Sequence, residues 1–257
     1  IGVSKGFYCT GDGETKEFSS GSGGGVPVYG KDFNYTGDYT ILDDSDSDGI
    51  KWRVKFLSSG TFTPLNNMLV DVFLVGGGGG GYSADSDSDY SQGGGGGGYT
   101  TTSKSIVLTA NEEYSIVIAS GGSICSRTQY AYSTGKGTDG GTSTAFNQQA
   151  LGGKLGYTDY GRSHYGGNGG SGGGSSDKGG TDGSNGTAYQ RSSTNPNWYY
   201  AGAGQGTTTR EFGESTGDLY AGGGGTNLTE IIANSGNGSY GRLGSSSGIV
   251  IIRNHRE

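Results

Sequence analysis

From residue 51 to 57 the chain alternates polar and apolar positions (Lys-Trp-Arg-Val-Lys-Phe-Leu), the period of a strand with one buried face. Ser58-Ser59-Gly60 supplies a turn, and Thr61-Phe62-Thr63-Pro64 opens another short strand. After Asn66-Asn67, residues 68–75 are almost continuously apolar, as expected of a strand buried on both faces. Residues 99–108 and 114–119 predict two more strands, with 109–113 between them as a hairpin loop. A last strand is predicted over 248–253. No segment carries a helical period, so the expected class is all-β. Residues 1–49 are polar and broken by glycine, and are expected to form an attachment segment holding one or two short strands. The division is therefore 1–49 as an N-terminal segment and 50–257 as the principal domain.

Between the strands lie glycine tracts, at 76–81, 93–98, 166–174, 179–186 and 222–225. Glycine supplies 59 of 257 residues, while hydrophobic residues make up 29%, so a conventional core can serve only part of the chain. Collagen is excluded, because there are three prolines and no Gly-X-Y period. A flexible linker is the ordinary meaning of such composition, but these tracts are insertions pinned at both ends by strands, where long structureless loops are uncommon. A glycine run has no side chains to bury, yet every N–H and C=O needs a partner once buried. An extended threefold helix makes no internal hydrogen bonds and points these groups outward, so several such helices can bond side by side. Ordering one tract alone costs about 1–2 kcal/mol per residue; only a bundle offsets that. The expected architecture is a β-sandwich with an inserted bundle of polyglycine-II helices.

Net charge is −7, which argues against a nucleic-acid backbone as partner. The longest apolar run is far too short to span a membrane. No signal peptide is read, and the start at Ile1 is expected to be processed or trimmed. Cys9 and Cys125 form no CxxC pair; two free thiols are the expected state, with a disulfide closing the long loop as the alternative.

Several motifs, in order, resemble the glycine-rich domain of phage and prophage tail proteins. They are Leu74-Val75 leading into the tract at 76–81, a polar loop, then 93–98 and Tyr99; Ser59-Gly60-Thr61-Phe62-Thr63; the stretch 206–214; Leu219-Tyr220-Ala221-Gly222; and the ending 247–256. The resemblance spans about residues 50–257. It implies a tail-fibre or tail-tip protein in the virion or outside the cell, akin to tip adhesins whose layered polyglycine helices carry host-contacting loops. A jelly-roll or tumour-necrosis-factor-like sandwich holding polyglycine helices, as in the extracellular domain of some receptor tyrosine kinases, is the implied fold. The chain lacks the cysteines of that receptor domain, and its tracts are shorter and less regular than those of the tip adhesins.

Catalytic chemistry is sparsely supplied. His164 stands near Ser163 and Asp159, a grouping too local to set up a triad by itself, and His255 lies in a charged tail. No enzyme and no cofactor is expected. The acidic repeats at 43–48 and 85–89 space carboxylates in a way that could gather Ca²⁺, but neither continues as an EF-hand, and solvated acidic loops are the preferred reading. Eighteen tyrosines exceed what so small an apolar content requires. Tyr82, Tyr90, Tyr130, Tyr132, Tyr157, Tyr160, Tyr165, Tyr189, Trp198, Tyr199 and Tyr200 fall in glycine-rich loops, the composition of adaptable binding surfaces. The expected binding loops are 82–92, 126–134, 157–165 and 189–200. Their ligand would be a bacterial surface glycan or outer-surface protein, with the N-terminal segment joining other virion proteins and homo-oligomerisation open. The same tyrosines could instead cap the glycine bundle. A structural virion subunit (decoration, spike or fibre assembly) and a bacterial adhesin are the alternatives.

Overall fold

A computed structural model describes residues 5–9, 15–19, 25–47, 49–83, 92–126, 137–158, 164–173, 190–192, 195–199, 209–224, 233–239 and 244–256. It is all-β. The chain begins with β1 (Lys5–Cys9) and β2 (Thr15–Ser19), an antiparallel pair, followed by β3 (Phe33–Tyr35) and β4 (Tyr39–Asp43). Next come β5 (Trp52–Phe56), β6 (Gly60–Pro64) and β7 (Met68–Val75). Two short strands, β8 (Tyr82–Ser83) and β9 (Gln92–Gly93), precede β10 (Thr100–Leu108) and β11 (Tyr114–Ile116). Then follow β12 (Cys125–Ser126), β13 (Ser143–Ala145), β14 (Gln148–Ala150), β15 (Tyr157–Thr158) and β16 (His164–Tyr165). The last are β17 (Gln190–Ser192), β18 (Asn195–Tyr199) and β19 (Ile249–Asn254).

An antiparallel five-stranded sheet runs in the order β10-β7-β19-β5-β4, and a three-stranded one in the order β11-β6-β3. Residues 33–43, which precede the predicted domain boundary, give one edge strand to each sheet. Alternation does the sorting. Trp52, Val54 and Phe56 point into a core shared by the two sheets, together with Val70, Val72, Leu74, Val250 and Ile252. Phe33, Tyr35, Phe62 and Ile116 meet them from the smaller sheet. Stacked and edge-on rings, such as Phe33 on Phe62 at 5.3 Å, join the layers.

The hairpin expected at 109–113 is not one. β10 pairs with β7 while β11 pairs with β6, so this loop carries the chain from one sheet to the other. Leu108 and Ile116, at its two ends, are both buried in the shared core, which fixes the crossing.

The opposite face of the large sheet is also covered. Phe73, Val75, Ile249 and Ile251 pack beneath Phe212, Tyr220 and Ala221 of the 209–221 segment. That segment is tied down by charge: the buried Glu211 carboxylate accepts from Arg53, Lys55 and the Tyr220 hydroxyl. Burial, then the neighbouring Glu211 charge, pushes the Tyr220 phenol well above its ordinary value.

Strands β10, β7 and β19 are neighbours in the sheet, and each continues directly into a glycine-rich tract beyond its end. Around the tract at 76–81 the backbone bonds repeat every third residue. The amides of Gly76 and Gly79 donate to Tyr99 and Gly96, those of Gly77 and Gly80 to Gly141 and Thr138, and that of Gly78 to Ser246. Its carbonyls accept from three other segments: Gly77 and Gly80 from Gly153 and Gly156, Gly78 from Gly122, and Gly79 from Ser239. Six segments thus surround this one. The 94–99 tract repeats the scheme, donating from Gly95 and Gly98 to Ser239 and Gly236, and from Gly96 and Tyr99 to Lys154 and Leu151.

The absence of side chains is a packing requirement. A Cβ on Gly76 or Gly79 would overlap the carbonyl of Leu151 or Lys154, and one on Gly77 or Gly80 that of Ser120 or Ser123. Ser120, Ser123, Leu151 and Lys154 are exposed at the outward positions of two peripheral segments, which is why these read Ser120-Gly-Gly-Ser123 and Leu151-Gly-Gly-Lys154.

Candidate ligand-binding end

The described tracts run between the β-unit and one remote end. Residues 76, 99, 120, 141, 151 and 248 sit beside the strands, because Val75, Thr100 and Ile249 follow directly on their neighbours. Residues 80–81, 93–94, 122–123, 138, 156, 167, 173, 224 and 239 lie at the other end. The described chain therefore leaves and re-enters the bundle there at 83 and 92, at 126 and 137, at 158 and 164, and at 239 and 244.

Short strands fix these roots. β8 pairs with β9 antiparallel and with β12 in parallel, so Tyr82 stands opposite Gly93 on one side and Cys125 on the other. β15 and β16 close a hairpin in which Tyr157 faces Tyr165 and Thr158 faces His164. β16 lies against β9, which brings that hairpin beside the first three strands. Three of the four expected binding loops, 82–92, 126–134 and 157–165, thus spring from adjoining roots. The fourth, 189–200, contains the antiparallel pair β17–β18, with Gln190 opposite Tyr199.

Of the expected ligand-binding residues, Tyr82, Tyr157, Tyr165, Trp198 and Tyr199 are placed by their backbone in these strands. Tyr90, Tyr130, Tyr132, Tyr160 and Tyr200 lie outside the described residues, as do the loop residue Tyr189, the tract at 179–186 and the acidic repeat at 85–89.

The flank of the bundle near this end is braced by polar side chains. Lys154 pairs with Asp139 at 2.8 Å, and the same carboxylate accepts the amide of Leu155 at 2.8 Å. Burial pushes the Asp139 carboxyl up, but these bonds and the Lys154 charge outweigh it and hold it below its ordinary value. The Ser123 amide donates to the Thr138 hydroxyl at 2.9 Å. Sequence reasoning missed these braces; the spacing of non-glycine residues three apart was the available signal.

The first acidic repeat is committed elsewhere. Asp44 accepts a two-pronged contact from Arg53, at 2.6 and 2.9 Å, and Arg256 approaches it at 3.4 Å. Asp46 pairs with Lys51, and Asp43 accepts the amide of Ser45 at 3.0 Å. Asp48 lies outside the described residues. Among the described residues, no three His, Cys, Asp or Glu side chains gather as ligands for a metal.

No curated protein matches the sequence. Residues 57–254, from the end of β5 through the last residue of β19, match the model of a family described as the glycine-rich domain. That span takes in the glycine lattice and most of both sheets, and the chain belongs to the glycine-rich domain family.

Proposed function

We propose that the chain is a phage or prophage tail-fibre or tail-tip protein that binds a bacterial surface receptor, a glycan or an outer-surface protein, through loops that do no chemistry. In this reading the tracts are polyglycine-II helices, the two packed sheets form a jelly-roll or tumour-necrosis-factor-like sandwich, and residues from the N-terminal segment join neighbouring virion proteins. One observation carries it: tyrosine-bearing loops that are far apart in sequence are rooted side by side at the bundle end remote from the β-unit. The threefold repeat of hydrogen bonds supports the helical reading of the tracts. A backbone lattice makes a stiff mount, and tyrosine among serine, glycine and asparagine is suited to adaptable recognition.

Fluorescently labelled full chain is tested for adsorption to a panel of bacterial cells and to immobilised surface glycans. Replacing Trp198, Tyr199 and Tyr200 together by alanine, or Tyr82 and Tyr90 together, is expected to reduce adsorption at least tenfold with the unfolding midpoint unchanged. Unaltered adsorption in both variants would falsify the receptor-binding reading and favour a structural virion role.

A further inference from the structure

Three neighbouring strands of the large sheet bring together a serine, a histidine and a carboxylate from distant parts of the chain. Asp71 lies on β7, Ser105 on β10, and His255 directly after β19. The Asp71 side chain is fully buried. Its Oδ1 accepts from His255 Nδ1 at 2.6 Å, and Ser105 Oγ lies 3.3 Å from His255 Nε2. The Nδ1 proton is thereby held toward the carboxylate, leaving the Nε2 lone pair facing the serine hydroxyl.

Each member is fixed by further contacts. Asp71 Oδ1 also takes the Ser105 amide at 3.2 Å, so one carboxylate oxygen aligns both the serine backbone and the imidazole. Its Oδ2 is occupied by Arg253 Nε at 3.0 Å and the Arg256 amide at 3.3 Å. The His255 amide donates to the Leu69 carbonyl at 3.2 Å. Ser105 stands in a bulge, where the β10–β7 register shifts between Ser103 and Ile106, and has a φ of +58°. A non-glycine residue in that region is strained and needs a reason in its surroundings. The bulge turns Ser105 outward, where it is exposed.

We propose that Ser105, His255 and Asp71 form an acyl-transfer site that acts on carboxylic esters, separate from the loops and independent of the receptor-binding reading. The division of roles follows the geometry of nucleophile, base and orienting carboxylate. Ser105 Oγ adds to the ester carbonyl carbon as its proton passes to His255 Nε2. The tetrahedral intermediate collapses, the ester C–O bond breaks, and the departing oxygen takes the proton from Nε2 to leave as an alcohol. Water then repeats the sequence on the acyl-serine, releasing a carboxylic acid and restoring the hydroxyl. Ser105 is exposed on an edge strand, so the bond is presented from outside, as by an ester on a large or polymeric surface. Asp71 is a positioning residue.

The full chain is incubated with a fluorophosphonate probe, and the adduct is mapped by peptide mass spectrometry. Modification is expected at Ser105, absent in Ser105→Ala, and slowed about 100-fold in His255→Gln, the usual worth of a positioned base. Ser105→Ala is expected to keep the wild-type unfolding midpoint, and His255→Gln to retain a cooperative unfolding transition. Asp71→Asn also breaks the Arg253 pair, so the test rests on the other two variants. Failure to label Ser105, labelling spread over other serines, or an unchanged rate in His255→Gln would each overturn the proposal. Loss of adsorption in the loop variants with labelling intact keeps the two readings distinct.

Discussion

The amide of Gly79 meets the carbonyl of Gly96 at 2.8 Å, three residues on from the Gly76–Tyr99 contact, inside a lattice with no room for a methyl group. A Cβ at Gly79 would fall on the carbonyl of Lys154, which is backbone and cannot swing aside. Gly79→Ala is expected to destabilise by about 3 kcal/mol, the upper end of ordinary overpacking costs. Gly25 has open space around its Cβ position, and Gly25→Ala is expected to gain up to about 0.5 kcal/mol by restricting the unfolded chain. Urea unfolding of the two variants checks the contrast; equal effects would show that the lattice does not constrain Gly79.

Ser143 joins the β-unit to the bundle. Its buried hydroxyl donates to the Val75 carbonyl at 2.7 Å and accepts the Ala119 amide at 3.1 Å. Ser143→Ala removes both bonds, and a loss of about 2 kcal/mol is expected. Amide hydrogen exchange should accelerate at Ala119 in this variant; unchanged protection there contradicts the assigned role.

Removing Glu211 takes from Lys55 its nearest carboxylate, while Arg53 keeps Asp44. The Glu211 carboxylate is nearly inaccessible and holds Arg53, Lys55 and the Tyr220 hydroxyl. Breaking a buried pair from one side leaves an uncompensated charge, and Glu211→Ala is expected to cost about 3 kcal/mol. The 209–221 segment should then become susceptible to limited proteolysis, while a protected segment would mean that its apolar contacts suffice.

Acid should loosen the same sheet. Burial pushes the Asp71 carboxyl up, but bonds from His255, the Ser105 amide and Arg253 outweigh it and hold the carboxyl below the ordinary value of 3.8. Asp44 is likewise held down, chiefly by Arg53 against the effect of burial. Groups depressed in the folded state stabilise it above their unfolded value, and that contribution fades as pH falls through the folded one. The unfolding temperature should therefore drop below about pH 4, and less steeply in Asp44→Asn than in wild type. Identical slopes would show that Asp44 contributes nothing to the acid response.

Strands were legible where local pattern decides the outcome. The alternation of Trp52, Val54 and Phe56 and the apolar run ending at Val75 predicted β5 and β7 almost to the residue. The central tracts were legible because positions enclosed on all sides must all be glycine. The peripheral segments at 119–123, 137–142, 151–156, 235–239 and 244–248 were missed, since serine, threonine, leucine and lysine at some of their positions break the glycine run. The 109–113 crossing was misread because a loop does not disclose which sheet its second strand will join. Long-range chemistry left still less trace. Local spacing singles out His164 beside Ser163, whereas the fold brings His255 to Ser105 across 150 positions and to Asp71 across 184.

Because four of the described connections leave and re-enter the bundle at one end, changes in their length are uncoupled from the rest of the molecule. Closing a flexible loop of twice the length costs only about 0.6 kcal/mol more, whereas one extra atom inside the lattice meets backbone on contact. Insertion and deletion should therefore accumulate in the connecting segments and be excluded from the tracts. One scaffold can in this way carry many different tips, diversifying at its remote end while its interior stays fixed.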